Sequence, residues 1–257
     1  MTKMKKEILE EIRKKREFSQ LREKDIELAY SHFEKRQASD EEKIKLTKEM
    51  LRKLFSAFVS KKLLSLKDKE PDWILRKHIS TSERLPYYKE IYSRILKDYP
   101  KVSIIDLGAG INGFSYPLFE EAGIKAEYTA IESVGQLVDL TNFYFKQNKL
   151  NAKAIHLSLF EKEELLKFIK KEKSPRIIFM FKVIDALETF ENDYSKKLIS
   201  ELVLLADKIV ISFATKSLGN KTSFKAKRSW IIDFLNDNFR VLDDFEIGGE
   251  RYISFKR

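Results

Sequence analysis

The 257-residue chain contains no cysteine, which excludes disulfides, thiolate metal sites and a cysteine nucleophile. Its only histidines, His32, His78 and His156, are widely spaced, so no metal is expected. No apolar run approaches the ~20 residues of a membrane span. The lysine-rich amino terminus lacks the apolar core of a secretion signal. A cytoplasmic protein with no membrane role is the simplest expectation. Glycine is missing from the first 107 residues, where Pro71, Pro86 and Pro100 are the only prolines. Basic residues outnumber acidic ones, 50 to 40, giving a formal charge of +10. That excess favours an anionic partner, and nucleic acid is the commonest one. A lysine- and glutamate-rich composition of the thermophilic kind gives the same number without any such partner.

The glycine-free stretch is rich in Lys, Glu and Leu, with apolar residues three and four apart, and therefore reads as helical. Ile8, Leu9, Ile12, Ile26 and Leu28 begin the pattern, and Leu46, Met50, Leu51, Leu54, Phe55 and Phe58 form its clearest stripe. Residues 1–77 are expected to form a helical domain of at least three helices, joined through Glu70-Pro-Asp-Trp73 to a separable second domain, 78–257. From residue 100 onward strands and helices alternate, as in a doubly wound α/β sheet. The expected strands are 102–107, 126–131, 153–157, 176–181, 208–214, 240–247 and 250–256. The expected helices are 112–122, 134–148, 161–171, 193–206 and 225–237. Gly248-Gly249 reads as a hairpin turn joining the last two strands.

Val102-Ser-Ile-Ile-Asp-Leu-Gly-Ala-Gly-Ile-Asn-Gly113 carries the most information. A β-branched run ending in Asp106 meets Gly-x-Gly, the pattern of a buried strand that delivers a ligand loop. Gly108 and Gly110 let the backbone turn sharply and approach a ligand closely. Asp106 falls at the carboxyl end of the strand, where open α/β sheets bind ligands. D-x-G-x-G is the S-adenosylmethionine (SAM) signature, yet the same residues satisfy the dinucleotide fingerprint GxGxxG. Glu132, at the end of the second strand, suits the ribose hydroxyls of either cofactor. A nicotinamide domain usually opens its chain with this strand, whereas here about a hundred residues precede it. The closing antiparallel hairpin belongs to class I methyltransferases, so SAM is the cofactor expected.

Three further motifs, in order, resemble the aminoglycoside-resistance 16S rRNA (guanine-N7)-methyltransferases, the Arm/Rmt/Sgm group. They are His78-Ile-Ser-Thr-Ser-Glu-Arg-Leu85, Phe181-Lys-Val-Ile-Asp-Ala-Leu-Glu-Thr189, and Thr215-Lys-Ser-Leu-Gly219 with Phe245-Glu-Ile-Gly248 and Glu250. The resemblance covers residues 78–257 and implies a SAM-dependent RNA methyltransferase acting at the decoding site of the small ribosomal subunit. It also implies a helical amino-terminal domain that docks on RNA phosphates. It implies cofactor contacts from His78, Arg84, Asp106, Gly108, Gly110, Glu132, Ser133, Ser158, Phe181 and Lys182, with Arg84 gripping the SAM carboxylate. Lys182, Glu188 and Lys216 are the implied catalytic residues. Lys216, Ser217, Lys221, Phe224, Lys225, Lys227 and Arg228 form the expected RNA-contacting group. A capping box between Ser80 and Glu83, with Arg84 solvated, is the alternative reading of the first motif.

The chain departs from the family pattern in three places. Glu132 replaces an aspartate, Leu157-Ser-Leu159 stands where an acidic residue near the adenine is usual, and Ser223-Phe-Lys-Ala-Lys227 replaces a lysine-glycine-methionine segment. Guanine N7 carries a free lone pair, so methylation there needs alignment and no general base. Lack of cysteine excludes the covalent route to pyrimidine C5. Lys182-Val-Ile-Asp185 lacks the prolines of exocyclic-amine methyltransferases. A tRNA guanine is the alternative target, and a non-catalytic RNA-binding protein with this fold is the alternative from another class. A monomer is expected.

Overall fold

The computed structural model describes residues 4–55, 64, 70–215 and 228–257. Seven strands are formed among them: β1 (Lys101–Leu107), β2 (Lys125–Glu132), β3 (Ala152–His156), β4 (Arg176–Phe181), β5 (Lys208–Ala214), β6 (Arg240–Ile247) and β7 (Glu250–Lys256). They pair in the order β3-β2-β1-β4-β5-β7-β6. β1 to β5 run parallel and β7 enters antiparallel between β5 and β6. This is the class I SAM-dependent methyltransferase fold. Strands β1 and β4 sit at the centre because Ile104-Ile105 and Ile177-Ile178 are apolar on successive positions, suiting a sheet covered on both faces. The expected strands match these bounds within a residue at each end.

The hairpin between β6 and β7 turns on Gly248 and Gly249, both at positive φ (61° and 76°). A Cβ at Gly248 would lie 2.6 Å from a ring carbon of Tyr87, so this glycine also serves packing. Aromatic rings fill one sheet face, with Tyr92 stacked on Phe119 at 4.0 Å between centroids. The other face is mainly aliphatic, and buries Leu165, Ile169, Leu198, Ile199, Ile231 and Leu235.

Three helices open the chain: α1 (Lys6–Arg13), α2 (Glu23–Glu34) and α3 (Asp40–Phe55). Ile8, Leu9 and Ile12 of α1 are buried at helical spacing. On α3 the fully buried positions are Thr47 and Leu51, and Leu46 of the expected stripe is only half-buried. Phe58 lies outside the described residues. The helical region shares its core with the sheet, since Ile12, Phe18 and Ile26 belong to the same apolar cluster as Ile104 and Phe179. Backbone joins the two as well. Leu21 forms an antiparallel bridge with Val134, Arg22 N–H donates to the Ser133 carbonyl at 3.1 Å, and Gly135 N–H donates to the Gln20 carbonyl at 2.9 Å. The expected link around Glu70–Trp73 is instead the start of a short helix, Pro71–Leu75, nucleated by proline at its first position. Its Ile74 and Leu75 are buried.

Other helices differ from expectation in local ways. The stretch 112–122 splits into a 3-10 turn, Asn112–Ser115, and the helix Pro117–Glu121. Helix Ile184–Phe190 was not foreseen, because seven residues are too few to show a clear period. No helix among the described residues is long and apolar enough to cross a membrane.

Candidate functional site

A cavity opens at the carboxyl ends of β1, β2 and β4, at the place where open sheets take ligands. Gly108 forms its floor at φ +68°, and a Cβ there would lie 2.8 Å from Val183 Cγ2. Gly110, at φ +55°, donates its N–H to Glu132 Oε2 at 2.8 Å, while Val134 N–H donates to Oε1 at 2.9 Å. Glu132 therefore ties the turn after β1 to the turn after β2. Its carboxyl is buried on the cavity wall, and burial raises its pKa against the backbone donors of Val134, Gly110 and Ser133. Asp106 accepts from Asn112 Nδ2 and Tyr128 OH, each at 2.6 Å and both on Oδ2. Burial pushes Asp106 up to about 6, although these donors and Arg84 act the other way.

Arg84 lies on the helix Ile79–Arg84, 3% exposed. Its Nε donates to Tyr252 OH at 3.0 Å, one terminal nitrogen to Asn112 Oδ1 at 3.0 Å, and the other to Glu250 Oε1 at 2.7 Å. Three of the five guanidinium N–H groups are thereby used, leaving two for a ligand. Burial opposes the charge on Glu250, yet Arg84 and Lys182 hold its carboxyl below the usual range. Lys182, at φ 55°, places Nζ 3.1 Å from Glu83 Oε2 and 3.3 Å from Glu250 Oε2. Phe181 lies beneath Arg84, whose guanidinium carbon is 4.8 Å from the ring centroid. His78 also lines the cavity, and burial followed by the cations Lys182 and Arg84 drives its ring down to about 4. It is a neutral imidazole at physiological pH.

The predicted residues do not all gather here. His78, Arg84, Asp106, Gly108, Glu132, Ser133, Phe181 and Lys182 line the cavity. Gly110 acts through Glu132. Ser158 is fully buried behind the wall, where its hydroxyl accepts the Phe160 N–H at 3.1 Å. Two expectations are corrected. Glu188 faces away from the cavity and caps the helix Tyr194–Leu202, accepting the N–H groups of Asp193 and Ser195 at 2.7 and 2.9 Å. Arg228, expected on RNA, is 7% exposed. It pairs with Asp185 at 2.5 Å and donates to the Ala214 carbonyl at 2.8 Å, bracing β5 against the helix after β4. Lys216, Ser217, Lys221, Phe224, Lys225 and Lys227 lie outside the described residues.

Sequence reasoning missed three members of the site. Asn112 bridges Arg84 and Asp106. Glu250 anchors Arg84, and only its place in the closing motif marked it. Asp25, from α2, reaches the cavity with no local signal at all. Among the described residues no group of His, Asp and Glu is arranged to hold a metal ion.

These residues fit a nucleoside carrying an amino-acid tail. Gly108 provides a cradle without a side chain, Arg84 two spare donors for a carboxylate, and Glu132 a carboxylate at the end of β2 for sugar hydroxyls. Comparison with known proteins agrees with that chemistry. A family model described as ribosomal RNA methyltransferase (FmrO) matches residues 68–235. A 16S rRNA (guanine(1405)-N(7))-methyltransferase of Proteus mirabilis is 26% identical over 189 residues, which span 72% of this chain and 64% of that protein's length. Among solved structures, the 16S rRNA methyltransferase RmtF in complex with S-adenosyl-L-homocysteine superposes with a TM-score of 0.79. It is 17% identical, with 99% of this chain and 100% of the other covered. An rRNA methylase from Escherichia coli gives 0.76 at 17% identity, with 98% of each chain covered.

Proposed function

The chain belongs to the ribosomal RNA methyltransferase (FmrO) family, and from that premise we propose that it methylates guanine N7 in the RNA of the small ribosomal subunit, with SAM as donor. The observation that carries this reading is the single cavity that joins a Cβ-free turn at Gly108, the buried carboxylate of Glu132 and the spare donors of Arg84. When bound, SAM supplies an electrophilic methyl group on a sulfonium, which passes to the N7 lone pair and leaves the thioether behind.

The chain's own residues hold and align. Arg84 takes the methionyl carboxylate, and the backbone at Gly108 lies against the tail. Asp106, with both its protein bonds on Oδ2, accepts the methionyl ammonium through Oδ1. Glu132 accepts the ribose hydroxyls. Lys182 stands at the mouth beside Glu83 and Glu250, where it meets the incoming nucleotide. N7 needs no proton removed, so no general base is assigned. Alignment of donor and acceptor supplies the rate enhancement.

Residues 1–77 serve to dock RNA. They carry 22 Lys and Arg against 15 Asp and Glu, which is most of the chain's positive excess. Such contacts fix position on phosphates rather than reading bases. The test is to incubate the full chain with methyl-labelled SAM and, separately, small ribosomal subunits and total tRNA, then map the label. Label at N7 of one small-subunit guanine is expected. Label confined to tRNA would move the substrate assignment, and label in neither would refute the catalytic one.

A further inference from the structure

The carboxylate that enters the cavity from the amino-terminal helices has no part in the reading above. Asp25 occupies the first turn of α2, is 2% exposed, and lines the same cavity as Glu132. It makes no ion pair among the described residues. The neighbouring cation, Arg22, is committed to Glu161, with Nε 2.8 Å from Oε2 and its other contact to Oε1. Asp25 accepts the Ser133 hydroxyl, and the fully buried Ser158 lies beside it. A carboxyl this deep, facing the charges of Glu132 and Glu161, is expensive to bury unless a ligand donor meets it.

Position says which part of a ligand that would be. Along the sheet the order is β3, β2, β1, and the cavity runs across these strand ends. The turn after β1 takes the tail and the end of β2 the sugar. Asp25 is held by Ser133, just past β2, and by Ser158, just past β3, so it stands one strand further along, where the base must lie. The cavity that Asp25 enters is also lined by the apolar side chains of Leu157, Leu159, Phe160, Phe190 and Phe55. That lining suits an aromatic ring whose edge carries a hydrogen-bond donor.

Resting on the donor reading above, we propose that Asp25 accepts a hydrogen bond from the exocyclic amine of the donor's adenine, so that a helix outside the sheet domain completes the base subsite. Ser133 and Ser158 are positioning residues that orient the carboxyl. The loop after β3, Leu157-Ser-Leu159, offers no charge of its own, and Asp25 fills that role from 108 residues away in the chain, measured to Ser133. Its pKa, raised to about 7 chiefly by burial, is consistent with a group whose partner arrives with the ligand.

The experiment measures binding of S-adenosyl-L-homocysteine and of its analogue lacking the 6-amino group, by calorimetry on the full chain and on Asp25→Ala. The unmodified chain is expected to prefer the amino compound by about tenfold or more, as sites built to bond a polar group do. In Asp25→Ala that preference should fall to within about twofold. A variant that weakens both ligands equally and keeps the preference overturns the proposal. If Asp25→Ala fails to fold, the unmodified chain still decides, because equal affinity for the two ligands is incompatible with a bond to the amine. Asp25→Asn, which keeps an acceptor oxygen, is expected to retain most of the preference, and its loss there would also count against the assignment. Failure of the unmodified chain to bind S-adenosyl-L-homocysteine at all would instead refute the donor reading, and this proposal with it.

Discussion

Gly108 shows how little room one position leaves. Its φ of +68° disfavours any side chain, and the Val183 methyl stands 2.8 Å from where a Cβ would be. Gly108→Ala is expected to lower S-adenosyl-L-homocysteine affinity at least tenfold, and Gly108→Ala with Val183→Ala to recover only part of it, because the backbone strain persists. Titration calorimetry on the two variants decides this. Asp25 gives a second prediction through pH. Its folded pKa of about 7 lies above the usual 3.8, so the folded chain holds the proton more tightly and its contribution to stability falls as pH rises from about 4 to 7. Asp25→Asn removes that dependence. Without ligand the variant should match the parent near pH 4 and exceed it by roughly 2–4 kcal/mol near pH 8, read from urea melts. Asp106, Gly108 and Glu132 were legible because strand ends and glycine turns are local signals. Asp25 was not, since a lone aspartate in a charged helix resembles its solvated neighbours. Glu188 and Arg228 misled for the opposite reason. Their charge suggested solvent or ligand, whereas helix capping and an ion pair with Asp185 absorb it.

The strands were readable almost to the residue: β1, β4 and β5 carry β-branched runs, and turn signals bound the others. Short helices were not, as Ile184–Phe190 shows. The β6–β7 hairpin is an instance where local and tertiary demands coincide. Gly248 meets the turn's need for positive φ and also makes room for Tyr87. Gly248→Ala is therefore expected to destabilise the fold by about 1–3 kcal/mol, as a lower thermal midpoint. Tyr87→Ala in the same chain should relieve only the steric share. Glu250, the first residue after that turn, anchors Arg84, so the hairpin variant should also weaken donor binding.

Viewed whole, the molecule is less divisible than its composition suggests. Glycine content and charge change sharply near residue 100, yet apolar contacts and backbone hydrogen bonds cross that change. The expectation of a separable second domain, 78–257, rested on sequence boundaries, which carry no information about a shared core. Deleting residues 1–34 is expected to abolish S-adenosyl-L-homocysteine binding together with RNA methylation, measured on chain whose circular dichroism shows that the sheet persists. Retained binding in such a chain would establish two independent units.

The antiparallel bridge between Leu21 and Val134 bears on how the polypeptide matures. Translation delivers the amino terminus first, but its docking surface emerges only after β2 and the turn beyond it have left the ribosome. Until then Leu21, which ends up buried, lacks its bridge partner, and the first helices have only one another to pack against. The first helices must wait, greasy side outward, for the middle of the chain to catch up, and a nascent-chain chaperone arriving in that interval would find its binding site there.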